Sequence, residues 1–376
     1  MPFDPEDNLF LLAGPIRMHP RVLRAMERPA INHRAPEFAA VARELHDLLQ
    51  YAFDTQNPVL ALTGSGTLGM EAAIQSLVDK QDKVVAVANG NFGERMAGLA
   101  DLYGTCTTVK AAWGQPVDLA AVESALRGGA KAVVLTHNET STGFTNPLRE
   151  IARLAHDHGA LVIADCITSI GGIPVPVDAW GVDVAITGSQ KCIGAPPGLA
   201  FVSLSPEAER ALKPKKSYYL SLSRYLEKWR KEGQSPFTPA THLYFACVEG
   251  LRLLKEQGRE ARFSQVAATA RATRAGAQAL GLSLFAHEAH RSDTVSAIRY
   301  PSGVEDAKFR GALKEKRGVV VSGGQGPVKG SIFRIGHMGT VGKNEIAAAF
   351  AAVAATLNEQ GFKCDAGAAA QAVSQA

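Results

Sequence analysis

Three segments between residues 161 and 203 decide the fold class: LVIAD (161–165), DVAIT (183–187) and LAFVS (199–203). They are nearly continuous apolar runs, a pattern typical of strands that are covered by helices on both faces. Upstream, residues 58–63, 83–88 and 131–136 have the same character, and segments with helical periodicity occupy residues 67–80, 119–127 and 147–158. This alternation predicts an open α/β sheet, whose ligands bind outside the carboxyl ends of its strands.

The pattern changes after about residue 255. A long Ala- and Arg-rich helix is predicted over residues 258–281, followed by short strands at 292–300, 319–322 and 331–335 and a helix over 343–360. We therefore predict a large domain over residues 21–255 and a smaller C-terminal α+β domain over residues 256–376. Residues 365–376 consist almost entirely of Ala, Gly, Gln and Ser, and we expect them to fray.

Composition excludes several function classes. The 376 residues carry 40 Lys and Arg against 36 Asp and Glu, and no basic block stands out, which argues against nucleic acid or an anionic membrane as the partner. No apolar run approaches the length of a membrane span, and the acidic opening MPFD (1–4) does not resemble a secretory signal. The five cysteines are scattered without a CxxC pair, so we expect a cytoplasmic protein with neither a disulfide framework nor a standard zinc site.

The glycine-rich segment TGSGTLG (63–69) follows a predicted strand and begins a predicted helix. Glycine allows a ligand to approach the backbone, and the helix N-terminus offers unpaired N–H groups, so this segment predicts a site for an anion such as a phosphate. It also matches the GxGxxG pattern of dinucleotide-binding folds, and a plain tight turn is a third interpretation. The next strand ends in Ala88-Asn89-Gly90, without the acidic residue that a dinucleotide ribose requires.

Two charged residues follow the carboxyl ends of predicted strands on the same edge of the sheet. Asp165 ends one strand, where it either caps a turn or faces a cationic ligand group. Lys191 lies between a strand and a loop rich in Gly and Pro, where a desolvated lysine has a lowered pKa and becomes a nucleophile for carbonyl groups. A phosphate cradle, an acid for a pyridinium nitrogen and an amine for an aldehyde are what pyridoxal 5′-phosphate (PLP) requires.

Further motifs are spread along the chain: AGP (13–15), NHRAPEF (32–38), TGSGT (63–67), NFGER (91–95), HNETSTG (137–143), GSQK (188–191), FTPA (237–240) and FRIGHMG (333–339). With them the chain resembles the class V aminotransferases of fold type I over nearly its whole length. Within this family it is similar to archaeal-type broad-specificity aspartate aminotransferases and to the serine–pyruvate and alanine–glyoxylate enzymes. The resemblance implies an α/β fold with a mostly parallel central sheet in the large domain, and an N-terminal segment, residues 1–20, that crosses near the active site.

The resemblance also implies roles for individual residues around PLP. Lys191 would bind the cofactor aldehyde and carry the substrate proton, and Asp165 would pair with the pyridine nitrogen. Gly66, Thr67 and Gln190 would contact the phosphate of the cofactor. Phe92 and Ile167 would lie on the two faces of its ring, and Thr140 would lie near its phenolic oxygen.

For the substrate, the resemblance implies that Arg334 binds the α-carboxylate through its planar guanidinium. Gly14 and Arg17 are further candidates; Arg17, like Arg34, would either bind the distal carboxylate of an acidic substrate or be a solvated charge. Thr238 would contact the phosphate of a neighbouring subunit, which implies a homodimer with shared sites. The chain departs from some relatives here, because Ser235 and Phe237 stand where those carry tyrosine.

These features predict a PLP-dependent aminotransferase with a ping-pong mechanism. The expected donor is a small L-amino acid, aspartate first and alanine or serine next, and the expected acceptor is 2-oxoglutarate, pyruvate or glyoxylate. A PLP-dependent lyase of the same fold is one alternative, although no suitably placed nucleophilic cysteine is evident. An NAD-dependent dehydrogenase using Gly64, Gly66 and Gly69 is another, but it leaves Asp165 and Lys191 unexplained.

Overall fold

The computed structural model describes residues 8–213 and 217–376, and within them the main feature is a seven-stranded sheet. Its spatial order is β2-β10-β9-β8-β5-β3-β4, and all neighbours are parallel except that β10 runs antiparallel to both β2 and β9. The strands are β2 (Val59–Thr63), β3 (Lys83–Ala88), β4 (Thr105–Lys110), β5 (Ala132–Thr136), β8 (Leu161–Asp165), β9 (Val184–Gly188) and β10 (Leu199–Ser203). The predicted mostly parallel sheet is confirmed.

Helices cover both faces of this sheet, so β5, β9 and β10 are buried along their whole length. One strand of this sheet, β4, was not predicted from the sequence. It is an edge strand whose residues are exposed or half-buried, and its sequence TCTTVK lacks a continuous apolar run. The helices between the strands are α3 (Gly66–Leu77), α4 (Asn91–Tyr103), α5 (Leu119–Leu126), α6 (Leu148–Asp157) and α7 (Pro206–Ala211). A two-stranded hairpin, β6 (Asn138–Glu139) and β7 (Phe144–Thr145), follows β5.

A second, four-stranded sheet has the order β1-β12-β13-β11. Its strands are β1 (Leu9–Leu11), β11 (Val295–Arg299), β12 (Val319–Gly323) and β13 (Ile332–Gly336). The sequence did not predict β1, because three residues are too few to show a pattern; β1 is a strand only through its parallel pairing with β12. A separate core with Phe309, Phe333 and Phe350 packs this sheet against α10 (Arg259–Ala279), α11 (Asp306–Arg317) and α12 (Lys343–Glu359).

The expectation that residues 365–376 fray is wrong. Residues Ala366–Gln375 form a helix, α13, whose N-terminus is capped by the Asp365 carboxylate, which accepts a hydrogen bond from the N–H of Gly367 at 2.7 Å. Ala369 and Val373, four residues apart and therefore on one face of the helix, are buried in the core of the four-stranded sheet. The alanine content that suggested disorder is also favourable for a helix that packs closely.

The remaining helices are α1 (Pro20–Ala25), α2 (Pro36–Phe53), α8 (Leu222–Glu232) and α9 (Thr241–Gln257), with two short 3₁₀ helices at Glu288–His290 and Gly326–Val328. In residues 8–213 and 217–376, no helix combines the length and the apolar character needed to cross a bilayer. Residues 1–4, whose composition argues against a secretory signal, lie outside the described residues.

Candidate active site

The carboxyl ends of β8 and β9 open into a cleft of about 230 Å³. Asp165 is the last residue of β8, and Lys191 follows the end of β9 by three residues. Most of the residues predicted for the cofactor site line this cleft, together with the predicted substrate residue Gly14: Gly14, Gly66, Thr67, Phe92, Thr140, Asp165, Ile167, Gln190 and Lys191. The fold thus brings together residues that are up to 177 positions apart in the chain.

Asp165 is a buried carboxylate that forms no ion pair within the described residues. One oxygen accepts a hydrogen bond from the backbone N–H of Ile167 at 2.9 Å, and the other accepts one from the Thr136 hydroxyl at 3.1 Å. No Lys, Arg or His nitrogen of the described residues lies within 4.0 Å of it, and burial raises the pKa of Asp165 to about 7. A pyridinium nitrogen in the cleft would supply the missing positive charge and favour the ionised carboxylate.

Lys191 is 9% exposed, and its Nζ donates a hydrogen bond to the carbonyl oxygen of Ala13 at 2.6 Å. Burial lowers the pKa of Lys191 to about 8, so a substantial fraction of the amine is neutral near that pH and able to attack a carbonyl carbon. The chain crosses close above this amine, because a Cβ at Gly14 would lie only 2.3 Å from Nζ. Gly14 therefore leaves the space that the lysine side chain needs.

The glycine-rich loop opens α3 at the same cleft. Ser65 precedes the first turn without capping it through its side chain, and the N–H groups of Gly66 and Thr67 have no acceptor among the described residues. A Cβ at Gly66 would lie 2.2 Å from Cδ1 of Ile167, so glycine allows close packing at this turn. Unpaired N–H groups at a helix N-terminus fit a phosphate, which agrees with the needs of PLP.

The same loop does not have the geometry of a dinucleotide-binding fold. The strand before it, β2, lies at the edge of the sheet and pairs only with the antiparallel β10. In the dinucleotide-binding fold this strand belongs to a parallel βαβ unit, so the GxGxxG interpretation loses its structural context.

Glu139 is a buried residue beside the cleft, and the sequence did not predict a role for it. Its carboxylate accepts hydrogen bonds from the backbone N–H groups of Phe92 at 3.0 Å and Gly93 at 2.9 Å. Ser141, which donates its hydroxyl to Glu139 at 2.5 Å, accepts from the N–H of Asn91 at 3.0 Å. The hairpin thereby caps the first turn of α4 and fixes the direction in which Phe92 projects.

Burial raises the pKa of Glu139, whereas the hydrogen bonds it accepts favour its charged form. A local signal for this cap does exist in the sequence. Gly90 directly precedes α4, and a Cβ there would lie 2.3 Å from Cγ of Glu139, so the glycine leaves room for the carboxylate.

Arg95 and Thr168 also line the cleft and were not predicted. Arg95 donates from Nη1 to the Thr67 hydroxyl at 2.9 Å, and its guanidinium carbon lies 4.8 Å from the ring centroid of Phe92. The hydroxyl of Thr168 lies 2.9 Å from that of Thr140. For Arg95 the signal was present in NFGER (91–95), because residues three apart on a helix share a face.

Arg334 lies on β13 and reaches the edge of the cleft from the four-stranded sheet. Its Nη1 donates to the carbonyl oxygen of Thr140 at 3.0 Å, and its Nε and Nη2 both donate to that of Gly323, at 3.0 and 2.8 Å. Burial lowers the pKa of Arg334 to about 10, and no carboxylate of the described residues lies within 4.0 Å of it. A desolvated guanidinium that touches only backbone oxygens is suited to bind a carboxylate ligand.

The structure does not bring Arg17, Arg34 or Thr238 to this cleft. Arg17 lines a different cavity, next to Gly339, and its Nη1 donates to the carbonyl oxygen of Asn8 at 3.1 Å. Arg34 donates to the carbonyl oxygen of Ser235 at 2.8 Å and so holds the loop that carries Thr238. Thr238 is exposed in this single chain.

No group of three or more His, Cys, Asp or Glu side chains within the described ranges is placed to hold a metal ion, and the five cysteines are unpaired.

Comparison with known proteins gives consistent matches over nearly the whole chain. A family model described as aminotransferase class-V matches residues 21–341. An uncharacterized aminotransferase of Methanocaldococcus jannaschii is 41% identical over 96% of both chains. The crystal structure of a Bacillus subtilis ureidoglycine–glyoxylate aminotransferase superposes with a TM-score of 0.94 at 30% identity, covering 98% of this chain and 97% of the other. A Thermus thermophilus aspartate aminotransferase gives 0.87 at 35% identity, covering 93% and 99%.

Proposed function

The chain belongs to the class V aminotransferases, which use PLP, and from this premise we propose that it transfers the amino group of a small L-amino acid to glyoxylate or pyruvate. The observation that carries the proposal is the presence in one cleft of two buried titratable groups without an ion-pair partner. Lys191 is an amine with its pKa near 8, and Asp165 is a carboxylate with its pKa near 7. Together they fit the aldehyde and the pyridine nitrogen of PLP.

When bound, PLP supplies the carbonyl carbon that receives the amino group and the ring that withdraws electrons from the substrate. Lys191 is the base of the reaction: its neutral Nζ removes the proton from the α-carbon of the amino acid and holds it for return. Asp165, once ionised, keeps a proton on the pyridine nitrogen. Arg334 binds the α-carboxylate and orients the Cα–H bond toward Nζ.

The charges around the cleft support a small substrate. Arg95 is the one guanidinium among the described residues that line the cleft, and it already contacts Thr67 and Phe92. Arg17, the candidate for a distal carboxylate, lines another cavity. Alanine or serine therefore fits the cleft of one chain better than aspartate does, and the glyoxylate named for the B. subtilis relative supports a small acceptor.

Aspartate is the second candidate donor. The T. thermophilus relative, 35% identical, is named for aspartate, and this supports the sequence-based expectation. To bind aspartate, the site would need a cation for the distal carboxylate, and that cation would have to come from a residue that does not line the cleft of a single chain.

We also propose a homodimer with shared active sites. Thr238 is exposed and follows Phe237, whose ring stacks on Tyr219 with centroids 4.9 Å apart. Tyr218 beside them is 70% exposed, so an aromatic surface surrounds the residue expected to reach the neighbouring phosphate. Arg34 holds the backbone of this loop, which supports a fixed position for Thr238.

The experiment that tests the proposed substrates is a visible absorption spectrum of the PLP-loaded protein during addition of L-alanine, L-serine or L-aspartate. We expect alanine or serine to convert the aldehyde form to the amine form at least about tenfold faster than aspartate, because a missing charge-assisted contact costs roughly 1.5–3 kcal/mol. Faster conversion by aspartate would favour the second candidate. Arg17→Ala serves as the control and should leave the conversion rates with all three amino acids unchanged.

A further inference from the structure

The phosphate end of the cleft contains a cation that the sequence did not assign. Arg95 projects from the second turn of α4 toward the first turn of α3, and its Nη1 lies 2.9 Å from the Thr67 hydroxyl. It forms no ion pair with any carboxylate of the described residues within 4.0 Å. A guanidinium has five N–H donors. Within the described residues, Arg95 uses one of them, in its hydrogen bond to Thr67.

The charges of the cleft show why such a cation is needed. A phosphate ester carries a charge of about −1.5 to −2 at neutral pH. Among the described residues lining the cleft, the side chains that can carry a positive charge are Lys191 and Arg95. Lys191 reacts with the aldehyde under the proposed function, so Arg95 is the cation that remains for the phosphate.

Two contacts fix the guanidinium in place. The ring of Phe92 lies under it, with 4.8 Å between the guanidinium carbon and the ring centroid, a geometry typical of a cation–π contact. Glu139 caps the first turn of α4 through the N–H groups of Phe92 and Gly93, so the helix cannot turn about its axis without losing these bonds. Arg95 is therefore held beside the unpaired N–H groups of Gly66 and Thr67 at the start of α3.

We propose that Arg95 is a phosphate-binding residue of the cofactor site, acting with Thr67 and the N-terminus of α3. Its remaining N–H donors bind the phosphate oxygens of PLP, while its bond to Thr67 orients the hydroxyl toward the same group. This inference rests on the proposed use of PLP and adds a residue to it.

The test compares two ligands that differ only in the phosphate. Dissociation constants of the cofactor-free protein are measured for PLP and for pyridoxal, in the wild type and in Arg95→Gln. Since a hydrogen bond to a charged group contributes about 1.5–3 kcal/mol, we expect Arg95→Gln to weaken PLP binding by roughly 10- to 100-fold. Pyridoxal affinity should change less than about threefold, because it lacks the charged group. Equal losses for both ligands, or no loss for PLP, would overturn the assignment.

Two further variants sharpen the result. Arg95→Lys keeps the charge but lacks the planar guanidinium, so its loss of PLP affinity should be smaller, and pyridoxal affinity should again change little. If Arg95→Lys weakens the binding of both ligands equally, the proposal is overturned even if Arg95→Gln fails to fold. Arg153→Gln, which removes an exposed arginine paired with Asp157 on α6, is the matched control and should bind both ligands normally. If the wild type binds neither PLP nor pyridoxal, the proposed function itself is contradicted. If the wild type binds both but the Arg95 variants lose affinity for the two ligands equally, only the role of Arg95 is contradicted.

Discussion

The two sides of the cleft hold their charged groups by different means. On the proposed cofactor side, Asp165 and Lys191 lie at neighbouring strand ends of one buried sheet, and both are desolvated enough to shift their pKa values toward each other. On the proposed substrate side, Arg334 comes from the other sheet and is held by the backbone oxygens of Gly323 and Thr140. The cofactor side is thus tuned by burial, and the substrate side is positioned by contact between the four-stranded sheet and the β6–β7 hairpin.

This difference predicts that substitutions on the cofactor side change the chemical step, whereas substitutions on the substrate side change binding. The former should lower kcat at nearly constant KM, and the latter should raise KM.

The largest effect is expected for Lys191→Ala. This substitution removes the proposed base for the α-proton, a contribution of about 10²- to 10⁴-fold, so kcat should fall by up to about 10⁴-fold. The measurement is steady-state turnover with alanine and glyoxylate, together with the PLP content of the purified variant. Cofactor should still bind non-covalently. Turnover near the wild-type rate would show that another group carries the proton.

Asp165→Asn should have the next largest effect. Loss of the negative charge at the pyridine nitrogen removes a preorganised electrostatic interaction, and we expect kcat to fall by about 10²- to 10³-fold. Asn can still accept a hydrogen bond from the N–H of Ile167, and the Thr136 hydroxyl can rotate to accept one, so the fold should persist. An unchanged kcat would contradict the proposed pairing.

The same variant gives a pH test in the cofactor-free protein. The pKa of Asp165 is raised to about 7 in the folded state, from about 3.9 in an unfolded chain. Between these values the unfolded state loses its proton first, so the contribution of Asp165 to stability falls as the pH rises from about 4 to about 7. The Tm of Asp165→Asn should therefore rise relative to the wild type over this range. Parallel Tm curves would contradict the shifted pKa.

Arg334→Lys should have the smallest effect of the three. Lysine keeps a charge but cannot reproduce a two-pronged contact, so we expect KM for the amino donor to rise by about 10- to 100-fold with a smaller change in kcat. Initial rates over a range of alanine concentrations measure it. If kcat fell instead while KM stayed constant, Arg334 would belong to the chemical step and the division between the two sides would fail.

Most of the residues predicted for the cofactor line the cleft, whereas of those predicted for the substrate only Gly14 is among the described residues that line it. Asp165, Lys191 and the loop at Gly66 are each next to a local pattern, a strand end or a helix start, and parallel strands bring such ends to one edge of the sheet. Arg95 and Glu139 are accompanied by local signals in the sequence, but their contacts between α4, α3 and the hairpin follow only from the tertiary structure.

The N-terminal segment shows most clearly what the sequence left undetermined. The sequence contained the candidates Gly14 and Arg17 three residues apart, and only the tertiary structure separated them. Gly14 lies against Lys191, whereas Arg17 faces another cavity.

What the sequence determined by itself was the α/β class and the succession of the main strands along the chain, because these follow from apolar periodicity, and residues adjacent to these strands predicted the cofactor site. The tertiary structure decided the pairing of β1 with β12, the packing of α13 and the contact of Arg334 with Thr140. These depend on burial between segments distant in the chain. The contact between the Ala13 N–H and the Ser322 hydroxyl, 309 residues apart, exists only once β1 has paired with β12.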